Sequence, residues 1–174
     1  DYRISQITNI GVEPGLNVEK ELMSRFHTKT RNMVRKALKV GFDINHDEHL
    51  SSFEELCNLH HDNMEVIGGN TKSMKVFDSI YKTFSPEKDY RIYRASLKGK
   101  TAAMLLIFYY KDYCEYFTPV IDKNFRYQQP LSAIIFNAMC EASKNNYSFW
   151  NWGGTWKSQK SVHFFKKRWG AEDL

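Results

Sequence analysis

The sequence has little of what staples a small chain or anchors it in a bilayer. Cysteine is scarce. Cys57, Cys114 and Cys140 are odd in number and far apart, which argues against a disulfide framework and predicts free thiols in a reducing compartment, the cytoplasm. No apolar run approaches the 18 residues of a membrane-spanning helix, and the longest, 102–110, has the length of a buried strand. Internal repeats, low-complexity tracts and linkers are absent, so residues 1–174 read as one domain. His46-x-x-His49 and His60-His61-Asp62 have no cysteine or second pair at zinc-like spacing, and no metal site is expected. There is no Gly-x-Ser-x-Gly and no Ser-His-Asp pattern, and nothing marks Cys114 or Cys140 as a nucleophile. The opening Asp1-Tyr-Arg-Ile-Ser has no basic segment before an apolar one and no initiator Met. The expectation is no signal peptide, and a piece of a longer protein.

What is present fits a globular domain: 42% hydrophobic and 26% charged residues in 174. About two thirds of the unfolded surface can be buried at that length. Aromatics reach 15%, enough for a large aromatic core or for stacking surfaces. The net charge of +5 is unevenly spread. Residues 20–39 hold seven Lys/Arg and one Glu, and residues 157–168 hold five Lys/Arg and no acid, so the rest of the chain is net negative. Two basic segments on an acidic body predict either an anionic partner (phosphate ester, RNA or anionic lipid) or two solvated helix faces.

Periodicity supplies the order of elements. A weak strand over 2–8 precedes a helix over 18–40, whose Val18, Leu22, Phe26, Met33 and Ala37 share one face. Gly41 stands where a helix C-cap belongs, and a short strand over 42–45 follows. Ser51 or Ser52 caps a second helix that Gly68-Gly69-Asn70 stops; a third runs over about 73–84. The period then changes to two, giving an antiparallel meander over 90–97, 101–110 and 114–121. A polar loop over 122–129 leads into a helix over 130–146 with Pro130 at its first position. A strand over 147–152, a Gly153-Gly154 turn and a last helix over 158–169 complete the chain. The fold class is α+β: a mixed sheet with an antiparallel meander, helices on both faces, and a right-handed parallel β-α-β crossover from 114–121 through 130–146 to 147–152.

Three stretches carry a family resemblance. RFHTKTRNMVRKALKVGFDI (25–44) looks like a basic helix, a glycine and a strand; DYRIYRASLKGKTAA (89–103) like the hairpin that starts a core sheet; and FWNWGGTWKSQKSVHFFKKRWG (149–170) like a strand, a Gly-Gly turn and a closing Phe-Lys-x-x-aromatic-Gly. In this order they resemble the GNAT acyltransferase superfamily and, within it, the Fem-like branch of peptidyltransferases. That resemblance implies a GNAT-like sheet and transfer of an aminoacyl or acyl group. The acceptor would be an amine of a cell-envelope precursor, a peptidoglycan precursor or a polysaccharide. It implies no tightly bound cofactor, with acyl-CoA or aminoacyl-tRNA expected as the co-substrate. The expected partners are a phosphorylated or nucleotide-linked precursor and tRNA, met in the cytoplasm or at the membrane periphery. Fem-type transferases carry two such domains, and this chain holds one.

The resemblance also implies a site. A GNAT domain grips pyrophosphate with an Arg/Gln-x-x-Gly-x-Gly/Ala loop that opens a helix, where backbone N–H groups and the helix dipole favour anions. Here Arg126, Tyr127 and Gln128 fill its first three positions, Gln129 replaces the first glycine, and Pro130 removes a donor. Ser132 follows in the first turn; Thr118 and Val120 flank Pro119, which marks a bulge, an edge or the splayed strand of a donor cleft. Lys166, after Phe165, matches the closing motif, whose lysine is thought to stabilise charge on the reacting ester. His163 is a candidate proton acceptor or a surface histidine. Trp152, Gly153, Gly154 and Trp156 are candidates for an acceptor cleft, with core packing the alternative for the tryptophans. Arg25, Lys29, Arg31, Arg35 and Lys36 are candidates for an anionic-ligand patch. Two rivals remain: an acetyl-CoA-dependent N-acetyltransferase, and a non-catalytic module that binds RNA or an anionic polymer.

Overall fold

A computed structural model describes all residues, 1–174. The chain order is β1 (Arg3–Asn9), α1 (Val18–Arg25), α2 (Thr28–Val40), β2 (Asp43–His46), α3 (Leu50–Ile67), α4 (Met74–Thr83), β3 (Tyr90–Leu97), β4 (Lys100–Tyr110), β5 (Tyr113–Ile121), a 3-10 turn (Lys123–Gln128), α5 (Pro130–Lys144), β6 (Phe149–Trp156), α6 (Lys160–Lys167) and β7 (Ala171–Asp173). One seven-stranded mixed sheet results, in the order β2-β3-β4-β5-β6-β1-β7. The meander β3-β4-β5 is antiparallel, and α5 crosses over to make β5 and β6 the parallel pair.

Strand β4 shows how the sheet acquires two cores. Its residues alternate faces. Met104 and Leu106 pack with Phe53 and Leu56 of α3 and Phe77 and Ile80 of α4. Ala103, Leu105 and Ile107 pack with Leu22, Phe26 and Val34 and with Ile134, Ile135 and Met139 of α5. Burial on both sides explains the near-continuous apolar run of β4. Cys57, Cys114 and Cys140 are free and buried within these cores.

Four local expectations are corrected. The helix over 18–40 is two helices, because the chain turns extended at Phe26 and His27. Phe26 is thereby driven into the core, its ring 5.1 Å from that of Trp169. His27 caps α2 by accepting the Lys29 N–H through Nδ1 at 3.1 Å. Neither Ser51 nor Ser52 caps α3: it starts after His49, whose N–H donates to Asp47 Oδ1 at 2.9 Å. The polar loop after β5 is a 3-10 turn. Gly153-Gly154 is not a turn but a bulge inside β6, which runs on to Trp156 because β1 pairs with both of its halves.

The bulge sets two of β6's residues, Trp152 and Gly153, against Gln6 alone, since Ser5 pairs with Gly154 and Ile7 with Asn151. Gly153 has φ = +67°. Open space surrounds the position a Cβ would take. Gly153→Ala therefore costs backbone strain alone, about 1–2 kcal/mol. The expected drop in Tm is about 2–8 °C, measured by thermal denaturation of the 174-residue chain.

Candidate functional site

Strands β5 and β6 are parallel for only three pairs, Tyr113–Phe149, Cys114–Trp150 and Glu115–Asn151, and then part. The divergence lies earlier than Pro119. A bulge at Phe117 interrupts the β4–β5 ladder, and Pro119 stays in register with Leu105. Proline lacks an N–H, so it suits a strand that has lost its neighbour on one side. Asn63 of α3 holds the free end of β5, donating to Ile121 O at 2.8 Å and accepting its N–H at 3.0 Å. The rings of Tyr116 and Trp152, 5.0 Å apart, close the head of the split.

Lys166 reaches β6 just beyond the last β5–β6 pair. Its side chain is buried, with 5% of the residue exposed, and Nζ donates to Trp152 O at 2.8 Å, Thr155 Oγ1 at 2.6 Å and Gly153 O at 3.4 Å. The bulge takes these two carbonyls out of the ladder, and the lysine supplies the donors they would otherwise lack. Thr155 Oγ1 donates onward to Gln6 Oε1 at 3.4 Å, and Gln6 Nε2 reaches His163 O at 3.4 Å. Burial pushes the Lys166 amine down to about 8. Phe165 packs beside Trp152 and Trp169 in the aromatic core. A surface position on α6 does not describe Lys166; the tertiary fold turns it inward.

The other sequence candidates scatter. His163 Nε2 faces both oxygens of Asp173 at 3.0 and 3.1 Å, over strand β7 and away from the split. Trp152 is core: its Nε1 donates to Thr8 Oγ1 at 2.8 Å. Trp156 is 39% exposed and lies against Arg3, whose guanidinium carbon is 4.5 Å from its ring centre. Arg126 is exposed and lines a groove of about 290 Å³ with Asp62, Asn63 and Glu65 of α3. Tyr127 is 84% exposed. Gln129 takes the left-handed conformation (φ 62°) that glycine adopts most readily, and Ser132 Oγ donates to its Oε1 at 3.4 Å. Gln128 Oε1 and the hydroxyl of fully buried Thr118 have no partner in the chain, while Val120 packs into the α3–α4 core.

The basic candidates divide. Arg25 is committed to the backbone at Asn9 O (3.1 Å) and Gly11 O (2.9 Å), and Arg31 to Phe26 O at 2.5 Å and Thr28 Oγ1 at 2.9 Å. Lys29, Arg35 and Lys36 are exposed. Sequence reading missed Asn63, Thr155 and Gln6, each of whose partners lies more than ten residues away, so no local spacing marks them. It also missed the cluster in which Glu141 of α5 accepts from Arg91 Nη1 at 2.6 Å and from Tyr93 OH at 2.7 Å.

Residues 24–164 match the acetyltransferase (GNAT) domain family. The chain belongs to that family. Among solved structures this GNAT domain superposes on FemX with a TM-score of 0.86 at 16% identity, over 97% of this chain and 58% of FemX. It is similar to the C-terminal domain of a putative lysylphosphatidylglycerol synthetase from Agrobacterium fabrum (TM-score 0.65, 8% identity, 98% of this chain and 57% of that one). It also resembles an aminoglycoside acetyltransferase from an uncultured soil metagenomic sample (TM-score 0.54, 14% identity, 73% and 86%). No curated protein sequence gives a significant match. The GNAT domain thus spans somewhat over half the length of FemX, and its sheet has a Fem-like form.

The buried lysine makes stability depend on pH. An unfolded lysine keeps its proton to about 10.4. The folded one releases it near about 8. Between those values the unfolded chain binds more protons, so this group's contribution rises with pH. Burial raises the thiols of Cys114 and Cys140 and the phenol of Tyr116, so their unfolded forms ionise first and oppose this gain, and the comparison with Lys166→Met isolates the lysine. Denaturant unfolding should show wild type gaining on Lys166→Met from pH 8 to 10, by up to about 1.4 kcal/mol per pH unit.

Proposed function

We propose that this GNAT domain is the transferase half of a Fem-like enzyme. It moves an aminoacyl group from aminoacyl-tRNA to an amine of a phosphorylated or nucleotide-linked cell-envelope precursor, a peptidoglycan precursor being the leading case. The observation that carries this reading is the buried Lys166 ammonium at the β5–β6 split. The Fem-like sheet supports it. The loop before α5 supports tRNA over CoA: Gln129 and Pro130 stand where a pyrophosphate cradle needs glycines and free N–H groups. On this reading the transfer runs in the cytoplasm or at the membrane periphery.

In this reaction the acceptor amine attacks the ester carbonyl of the donor. A C–N bond forms, the ester C–O bond breaks, the tRNA hydroxyl leaves with a proton, and the amine's proton passes to solvent. No covalent enzyme intermediate is required. Negative charge grows on the carbonyl oxygen, and a fixed cation in a water-poor site stabilises it. Two of the Nζ bonds of Lys166 are short; the third, 3.4 Å to Gly153 O, is the one that can turn to a substrate oxygen. Phe165 fixes the helix that presents the lysine.

The test is transfer of labelled amino acid from charged tRNA to a nucleotide-linked precursor. Lys166→Met should lower kcat about 10²–10³-fold, with exposed Lys160→Ala near wild type. Wild-type kcat should fall as pH rises through about 8, where the ammonium is lost. A flat profile from pH 7 to 9.5 removes Lys166 from the chemistry. Acetyl-CoA at 100 times a supposed Kd would add about 2.7 kcal/mol of stability if it bound. The expected shift is none, and a shift of that size favours the N-acetyltransferase.

A further inference from the structure

The two basic segments, far apart in sequence, meet in space. A groove of about 390 Å³ is lined by His27 and Lys29 at the start of α2 and by Phe164, Lys167 and Arg168 at the end of α6. The backbone itself joins the two walls, His27 N–H donating to Arg168 O at 2.9 Å. The charges in the groove are largely uncompensated. Lys167 shares Asp173 at 3.4 Å, whereas Lys29 and Arg168 have no carboxylate within 4 Å. The first turn of α2 contains no acidic residue, so its free N–H groups add to the positive field. The Nδ1 of His27 is used in capping, and no group of the chain engages its Nε2.

Phe164 is the unusual member. Its neighbour Phe165 is packed against the core, while Phe164 leaves 58% of its surface in water among four basic side chains. A solvated helix face gains nothing from such a ring. A flat base does: stacking on an exposed aromatic is sequence-tolerant, and cations beside it hold the flanking phosphate. An anionic membrane would favour a broad convex surface, and this site is concave with one ring.

We propose that the α2–α6 groove docks single-stranded RNA, with a backbone phosphate held by Lys29, Lys167 and Arg168 and an adjacent base stacked on Phe164. This deepens the tRNA-dependent reading, on which it rests, by placing the nucleic acid on the outer side of the helix whose inner side carries Lys166.

The experiment measures binding, not turnover. A fluorescently labelled ten-nucleotide RNA is titrated with the 174-residue chain at several salt concentrations, beside an abasic oligomer of the same length and vesicles of phosphatidylglycerol. For wild type, log affinity should fall with log salt at a slope of about −0.7, the value for one phosphate on a single strand. The variant carrying Lys29→Ala, Lys167→Ala and Arg168→Ala together should lose most of that slope. Phe164→Ala should weaken RNA binding about ten-fold and leave the abasic oligomer unchanged, with circular dichroism confirming that each variant is folded. Equal loss for both oligomers, no loss in the triple variant, or variant-sensitive binding of vesicles with none of RNA each overturns the proposal. The transferase reading fails separately: RNA binding by a chain that transfers nothing overturns that reading alone. Transfer undiminished in Phe164→Ala, with no RNA binding, overturns the groove alone.

Discussion

Everything at the centre of the molecule depends on two parallel strands that cannot stay together. β5 and β6 share three pairs, and each is then held by its other neighbour, β4 or β1. Such a split exposes backbone groups that a continuous ladder would satisfy, and a buried carbonyl without a donor costs free energy comparable to a lost hydrogen bond. The chain resolves this from two sides. Asn63 imitates a strand beside Ile121, and Lys166 supplies N–H donors to the β6 bulge. The second solution places a cation where the strands part. The side chain that satisfies this part of the sheet is the same one to which the proposed transfer assigns the stabilising charge.

Burying that cation is costly in itself, since a charge leaving water loses solvation. The cost appears as the lowered affinity of Lys166 for its proton. Three acceptors and a polar chain through Thr155 and Gln6 offset it. The rest of the surroundings is aromatic. Phe26, Trp150, Trp152, Phe165 and Trp169 form one cluster whose ring edges and faces meet at 5 to 6.5 Å, a geometry that fixes α6 against β6. Five of the 26 aromatic residues thus hold one helix in place, with Phe164 left outside.

α6 separates two environments within two residues. Lys166 faces a dry interior, and Lys167 and Arg168 face a groove shared with α2. This groove exists because the expected long helix breaks at Phe26-His27, which brings the start of α2 against the end of α6. The break also withdraws Arg25 and Arg31 from any ligand by tying them to carbonyl groups. Five of the seven Lys/Arg in 20–39 therefore remain for an anion, and one of them, Lys29, stands beside the second basic segment.

Local pattern was enough for the class of fold. Period-two alternation over 90–121 and apolar stripes on the helices are local consequences of which faces must be buried, and these elements form nearly where the residues place them. It determined the crossover from β5 to β6, because strand, helix and strand in that order close only one way. It also singled out Lys166, through the motif around it. Only tertiary structure decided the helix break at Phe26, the bulge at Gly153 in place of a turn, strand β7, and the inward direction of Lys166. Each of these depends on partners from distant parts of the chain: Trp169 for Phe26, β1 for the bulge and β7, and the bulge carbonyls for the lysine. A preference that arises from a distant surface leaves no period in the local sequence, so it becomes visible only when the surfaces meet.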